Sequence, residues 1–161
     1  MNPRPLAPLF VSPRQLLDKA RRDLERLENA TFTGNEIACR DAMIDACCSV
    51  YHANYWIKVM HARCADLAEQ HAHGSKWILL CRDICHASEH VGLRLDREPH
   101  VTSPQAADSI DRTIGDSVGP YADLPVLKVF SRRSRDHHYA SVVIENAIAD
   151  WEHFLSAHQI P

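Results

Sequence analysis

The sequence predicts an all-α, mainly helical fold: one bundle of four to five helices with a small β element before the last of them. Three observations predict it. Only 5 glycines occur in 161 residues. Runs of β-branched residues are scarce, and apolar residues recur at three- and four-residue spacing along most of the chain. The length suits a single domain over 1–161. Apolar residues make up 45% and charged residues 24%, a composition that can build a core and excludes wholesale disorder.

Residues 1–11 read as an extended arm. Ser12-Pro13-Arg14-Gln15 is a capping box with proline in the first helical position. Leu16, Leu17, Ala20, Leu24 and Leu27 then follow at helical spacing, so the first helix spans about 13–28. Thr31 to Asn35 reads as a turn. The second helix starts at Glu36 and continues to about Arg63, with Ile37, Ile44, Cys48, Tyr51, Tyr55 and Val59 as its apolar stripe. Ala65–Ala72 either prolongs it or forms a short helix of its own. Gly74-Ser75 breaks the pattern, and Ser75 can cap the next helix. That helix covers about 76–93, with Trp77, Leu80, Ile84, Ala87 and Val91 inward. Residues 94–125 hold four of the 9 prolines and read as a long irregular connection. Leu124–Phe130 is the strand candidate, Arg132–Asp136 a polar turn. The last helix covers about 137–157, with Val142, Val143, Ala147, Ile148, Trp151 and Phe154 inward.

The chain has a net charge of -3, so no overall basic excess draws it to nucleic acid. Its 11 histidines add positive charge as pH falls toward 6, which makes any anion affinity pH-sensitive. No apolar run approaches the roughly 18 residues of a membrane helix. Four prolines interrupt the first thirteen residues, a poor signal peptide. A cytoplasmic protein with no membrane contact is the expectation. The 6 cysteines form no CxxC pair, and Cys47 and Cys48 are adjacent. They are expected to be reduced, buried thiols. No phosphate-binding glycine loop, dinucleotide fingerprint or nucleophile elbow occurs.

The segment Cys81–His90 carries the most chemistry. At about 100° per residue, Arg82, His86, Glu89 and His90 share a third of the helix circumference. Arginine can grip a phosphate with paired hydrogen bonds, and histidine can move a proton near neutral pH. Together they form a minimal set for cleaving RNA without a metal. A solvated polar face is the alternative. The same segment admits a metal reading, since His86 and His90 lie four apart. Cys85 or Glu89, with His52, His71 or His73, would complete such a site. Asp41, Asp45 and His52 fall within about 40° on the second helix; they either orient a catalytic group or form a polar stripe. Arg132, Arg133 and Arg135, with His137 and His138, form a second anion-binding candidate, placed before the last helix and its free N–H groups.

Two stretches, Ser49-Val50-Tyr51-His52-Ala53-Asn54-Tyr55-Trp56-Ile57 and Cys81–Leu93, resemble a group of bacterial helical proteins. Their pattern is Tyr-His-x-x-x-Trp followed by Arg-Asp-x-x-Asn-x-x-Lys-His-x-x-Leu. That group in turn resembles the HEPN superfamily of small helical bundles, which includes RNA-cleaving toxins and antiphage effectors. The resemblance covers about residues 36–93 well and the tail in outline, including Trp151. His52, Trp56, Arg82, Asp83 and His90 match. His86 stands where asparagine is usual and Glu89 where lysine is usual. The superfamily's nuclease motif has four to six residues between arginine and histidine. Arg82 and His90 are separated by seven, whereas Arg132–His137 and Arg133–His138 fit.

The resemblance implies a HEPN-like bundle and a metal-independent endoribonuclease or a toxin- or defence-type RNA-binding protein. Arg82 would hold the phosphate, His86 or His90 would take the 2′-hydroxyl proton, and Asp83 or Asp45 would orient the imidazole, with His52 and Glu89 in support. It implies no cofactor and no metal. The partners it implies are RNA, a second copy in a homodimer, and an antitoxin or other protein. A non-catalytic interaction or regulatory module and a metal-binding bundle remain alternatives.

Overall fold

The computed structural model describes residues 12–89, 110–114, 125–131 and 136–161. The order of elements is α1 (Pro13–Phe32), α2 (Glu36–Met60), a 3-10 turn (Ala62–Cys64), α3 (Ala65–Gly74), α4 (Lys76–Glu89), β1 (Ile110–Ile114), β2 (Pro125–Ser131), β3 (Asp136–Tyr139) and α5 (Ala140–Ala157). It is a mainly helical bundle, as the apolar spacing predicts. The arm at 1–11, most of the connection at 94–125, the end of the third predicted helix and the turn at 132–135 lie outside the described residues.

Local chemistry accounts for the helix starts. Ser12 accepts a hydrogen bond from Gln15 N at 3.4 Å and caps α1. That helix runs one turn further than the sequence suggests. Thr31 lies inside it, its Oγ1 donating to Leu27 O at 2.8 Å, an alternative to turn formation that a helix interior tolerates. The tight reversal falls on Gly34, whose φ of 67° suits glycine. Asn35 Oδ1 then accepts from Ala38 N at 3.1 Å and caps α2. Ser75 caps α4 as predicted, accepting from Ile78 N at 3.2 Å; its hydroxyl also donates to Asp150 Oδ2 and ties α4 to α5.

Two predictions on the later chain need correction. The irregular connection contains a strand, β1, which pairs antiparallel with β2; β2 pairs with β3 in a three-stranded sheet of order β1-β2-β3. His137 and His138 belong to β3, and the last helix begins at Ala140. They therefore do not sit on a helix N-terminus. Pairing with β2, Phe130 to His137 and Val129 to His138, holds them extended. Leu127 and Val129 of β2 join the helical core.

The centre of the bundle is α2, which packs against α1, α3, α4 and α5. Its buried face is Cys39, Ala42, Met43, Ala46, Cys47, Val50, Ala53 and Ile57. The expected stripe faces the other way: Ile37, Tyr55 and Val59 are exposed, while Ile44, Cys48 and Tyr51 are half-buried. Small side chains let neighbouring helices approach closely, so alanine and cysteine line the packed side. Val142 is likewise exposed, whereas Val143, Ala147, Ile148, Trp151 and Phe154 are buried as expected. On α4, Leu80 and Ile84 are buried as expected, and Trp77 is half-buried against the core.

All six cysteines are free thiols, five of them buried and Cys48 half-buried. The Cys47 thiol is pushed well above its ordinary value by its hydrogen bond to Cys81 and by burial. A thiol held protonated in the core is unreactive, so Cys47 acts as a packing residue. Among the described residues, no helix is long and apolar enough to cross a membrane.

A half-buried histidine packed against the core gives the fold a pH dependence. His71 packs against Trp151 and Phe154, at centroid distances of 5.3 and 5.0 Å, and its Nε2 lies 3.0 Å from Asp150 O. Burial lowers its pKa against the opposing pull of Asp150. The unfolded chain therefore takes up this proton at a higher pH than the folded one. The stability linked to neutral His71 is present above the ordinary histidine value and is lost as pH falls below it. Urea denaturation is expected to show a drop in stability from pH 8 to pH 5.5, and a smaller drop in His71→Phe. An equal drop in both proteins would place the effect elsewhere.

Candidate functional site

A cleft of about 530 Å³ opens where α2, α3 and α4 meet. From α2 come Tyr51, His52, Asn54, Tyr55 and Lys58; from α3, Glu69, Ala72 and His73; from α4, Ile78, Leu79 and Arg82. Helical periodicity explains the set. Residues 51, 55 and 58 lie on one side of α2 at four- and three-residue intervals, and 69 and 73 are one turn apart on α3. The cleft thus joins four basic side chains, two tyrosine rings and one carboxylate.

Much of the charge is already paired. Arg82 Nε and Nη2 donate to Asp83 Oδ1 at 2.9 and 2.7 Å. Asp83 is 2% exposed, and the Arg82 side chain retains 12% of its accessibility. Asp83 is therefore a buried anchor of Arg82. On the opposite wall Glu69 accepts from Lys58 at 2.6 Å and from Asn54 Nδ2 at 2.9 Å, and lies 3.3 Å from His73 Nε2. Lys58 first, then Asn54, lower the Glu69 pKa. The carboxylate therefore stays ionised and keeps the wall of the cleft assembled. His52 is exposed.

The structure brings Arg82 and His52 into one cleft and places other predicted residues elsewhere. His86 is half-buried and meets the edge of the Tyr51 ring at a centroid distance of 4.9 Å. Asp45 does not line the cleft; its Oδ2 accepts from Arg26 of α1 at 3.1 Å, beside a buried Asp23 that also binds Arg26. His138 packs edge-on against Trp77 at 5.0 Å, and burial lowers its pKa; His137 is exposed. His90, Arg132, Arg133, Arg135 and the Glu89 side chain lie outside the described residues. Among the described residues, no group of three or more potential ligands could hold a metal ion.

Sequence reasoning missed Lys58, Glu69 and Tyr55 as site residues. Tyr55 and Lys58 follow Tyr51 at helical spacing, a signal that was present. Glu69 comes from α3, and only packing brings it to Lys58. A second cavity of about 340 Å³ between α1 and α5 includes Glu25, Glu28, Glu145 and Glu152 with Arg21. Its carboxylates repel phosphate, so it is not an alternative RNA site.

The fold and cleft define a mainly helical bundle with a basic, tyrosine-lined groove. No protein family, curated protein or solved structure matches the chain.

Proposed function

We propose that this is a cytoplasmic, HEPN-like RNA-binding protein that acts as a metal-independent endoribonuclease in the α2–α3–α4 cleft. The observation that supports this reading is the convergence of Arg82 and His52 with two tyrosines in one groove. Cations bind the phosphate backbone, and unpaired bases stack on aromatic rings. Arg82, oriented by Asp83, holds the scissile phosphate. His52 takes the proton of the 2′-hydroxyl, whose oxygen attacks phosphorus. The 5′-oxygen leaves and takes a proton from His73. The products are a 2′,3′-cyclic phosphate and a 5′-hydroxyl end.

The test is incubation of labelled single-stranded RNA with the full chain in excess chelator. Cleavage is expected to persist. His52→Ala is expected to slow it about 100-fold, the lower range for loss of a general base, with folding unchanged because His52 is exposed. Chelator-sensitive cleavage, or full activity in His52→Ala, would refute the mechanism.

The second reading is a non-catalytic interaction module with a protein partner such as an antitoxin. Two internal pairings favour it: Arg82 with Asp83, and Lys58 with Glu69. Each neutralises a cation that RNA would need. If the parent protein neither binds nor cuts RNA, this reading replaces the first.

A further inference from the structure

The wall of the cleft that α3 supplies has a feature that phosphate binding does not use. Glu69 puts a carboxylate into a groove that otherwise attracts anions, and 39% of its side chain is exposed. Lys58 and Asn54 both donate to Oε2, at 2.6 and 2.9 Å. A carboxylate has about four lone-pair sites. Oε1 therefore keeps room for a further donor beside His73 Nε2, which lies 3.3 Å away. Asn54 adds a second acceptor. Its Nδ2 faces Glu69, and the amide cannot be reversed, since its oxygen would then meet the carboxylate. Asn54 Oδ1 is left buried with no hydrogen-bond partner. Such atoms are rare in folded proteins, and Asn54 lines the cleft.

Two neighbouring acceptors discriminate among bases read on their pairing edge. Guanine presents two N–H donors side by side there, on N1 and N2. Adenine and cytosine set one amino donor beside a ring-nitrogen acceptor. Uracil sets its N–H between two carbonyls. A carboxylate attracts both guanine donors and repels the acceptors of the other three. Tyr55, 65% exposed on the same cleft, offers a ring for stacking, which tolerates every base.

We propose that Glu69, with Asn54, makes the cleft select guanine in single-stranded RNA, the base lying on the Tyr55 ring. The two guanine donors go to Glu69 Oε1 and Asn54 Oδ1, the latter after a small turn of the Asn54 side chain. Side-chain turns of that kind are common on binding. The inference rests on the RNA-binding reading of the cleft but not on cleavage.

Fluorescence anisotropy of the full chain with labelled 2′-O-methyl oligouridine strands reads the result, since the methyl group blocks cleavage. One central base is varied: guanine, inosine, adenine, cytosine or uracil. The guanine strand is expected to bind about tenfold more tightly than the adenine, cytosine and uracil strands, within the range for one paired base contact. Inosine, which lacks the N2 amine, should lose most of that preference. Glu69→Gln can no longer accept from two donors and should bind all five strands alike, with an unchanged helical circular dichroism spectrum. Tyr55→Leu should weaken all five together and keep the guanine preference. Equal affinity of the parent for all five strands, or for guanine and inosine, would overturn the proposal and leave the RNA reading standing. This comparison needs no variant to fold. A guanine preference that survives Glu69→Gln would also overturn it. A parent protein that binds none of the strands would overturn both the proposal and the RNA reading.

Discussion

Asp83→Ala is expected to destabilise the protein by about 3–5 kcal/mol, the usual result of stripping one partner from a buried ion pair. Asp83 is 2% exposed and accepts two hydrogen bonds from Arg82. Without it, a guanidinium with little access to water loses its carboxylate. Arg82→Ala removes the other partner and should cost a similar amount. Burial and ionic pairing thus overrule the expectation from the helix pattern, which places Arg82 on a polar surface where truncation costs little. Arg82→Met with Asp83→Leu removes both charges together. Because paired charges can be replaced by apolar groups at small cost, the double variant should recover much of the loss. Urea denaturation of the four proteins measures this. If Asp83→Ala is as stable as the parent, the pair is not a structural anchor. The double variant also separates roles: a folded protein without Arg82 tests whether RNA binding needs that cation.

Trp151→Ala should have a comparable effect, about 3–5 kcal/mol, the range for truncating a large buried aromatic side chain. Trp151 is 0% exposed. Its ring contacts Phe154 at a centroid distance of 5.7 Å and His71 at 5.3 Å. Its Nε1 donates to Val50 O at 2.9 Å. One side chain therefore joins α5 to α2 and to α3. Trp151→Phe keeps an aromatic ring but loses the indole donor and leaves a smaller void, so it should cost about 1–2 kcal/mol. Thermal unfolding should show the alanine variant melting about 6–20 °C below the parent, at roughly 2–4 °C per kcal/mol for a chain of this size. Equal melting temperatures for the parent and Trp151→Ala would remove Trp151 from the role of keystone.

The helical class and most helix positions were legible because they depend on near-neighbour chemistry. Ser12, Gly34, Asn35 and Ser75 act on groups a few residues away, and such contacts are written in the order of the residues. The inner and outer faces of α2 were not legible. Periodicity finds large apolar residues, whereas close helix packing selects small ones. Alanine and cysteine supply much of the buried face beside Met43, Val50 and Ile57, while Ile37, Tyr55 and Val59 lie outside.

The candidate site divides in the same way. Sequence alone marked Arg82 by the polar helix face it shares with His86, Glu89 and His90, and His52 by the face it shares with Asp41 and Asp45. Only tertiary structure brought them into one cleft with Glu69 and His73, withdrew Asp45 to Arg26, and held His137 and His138 in a strand. Local spacing determines which side chains share a face of one helix. Which faces meet depends on how the five helices and the small sheet of the described residues divide the buried volume among them. That is a property of the whole chain, so it emerges only with the packed core.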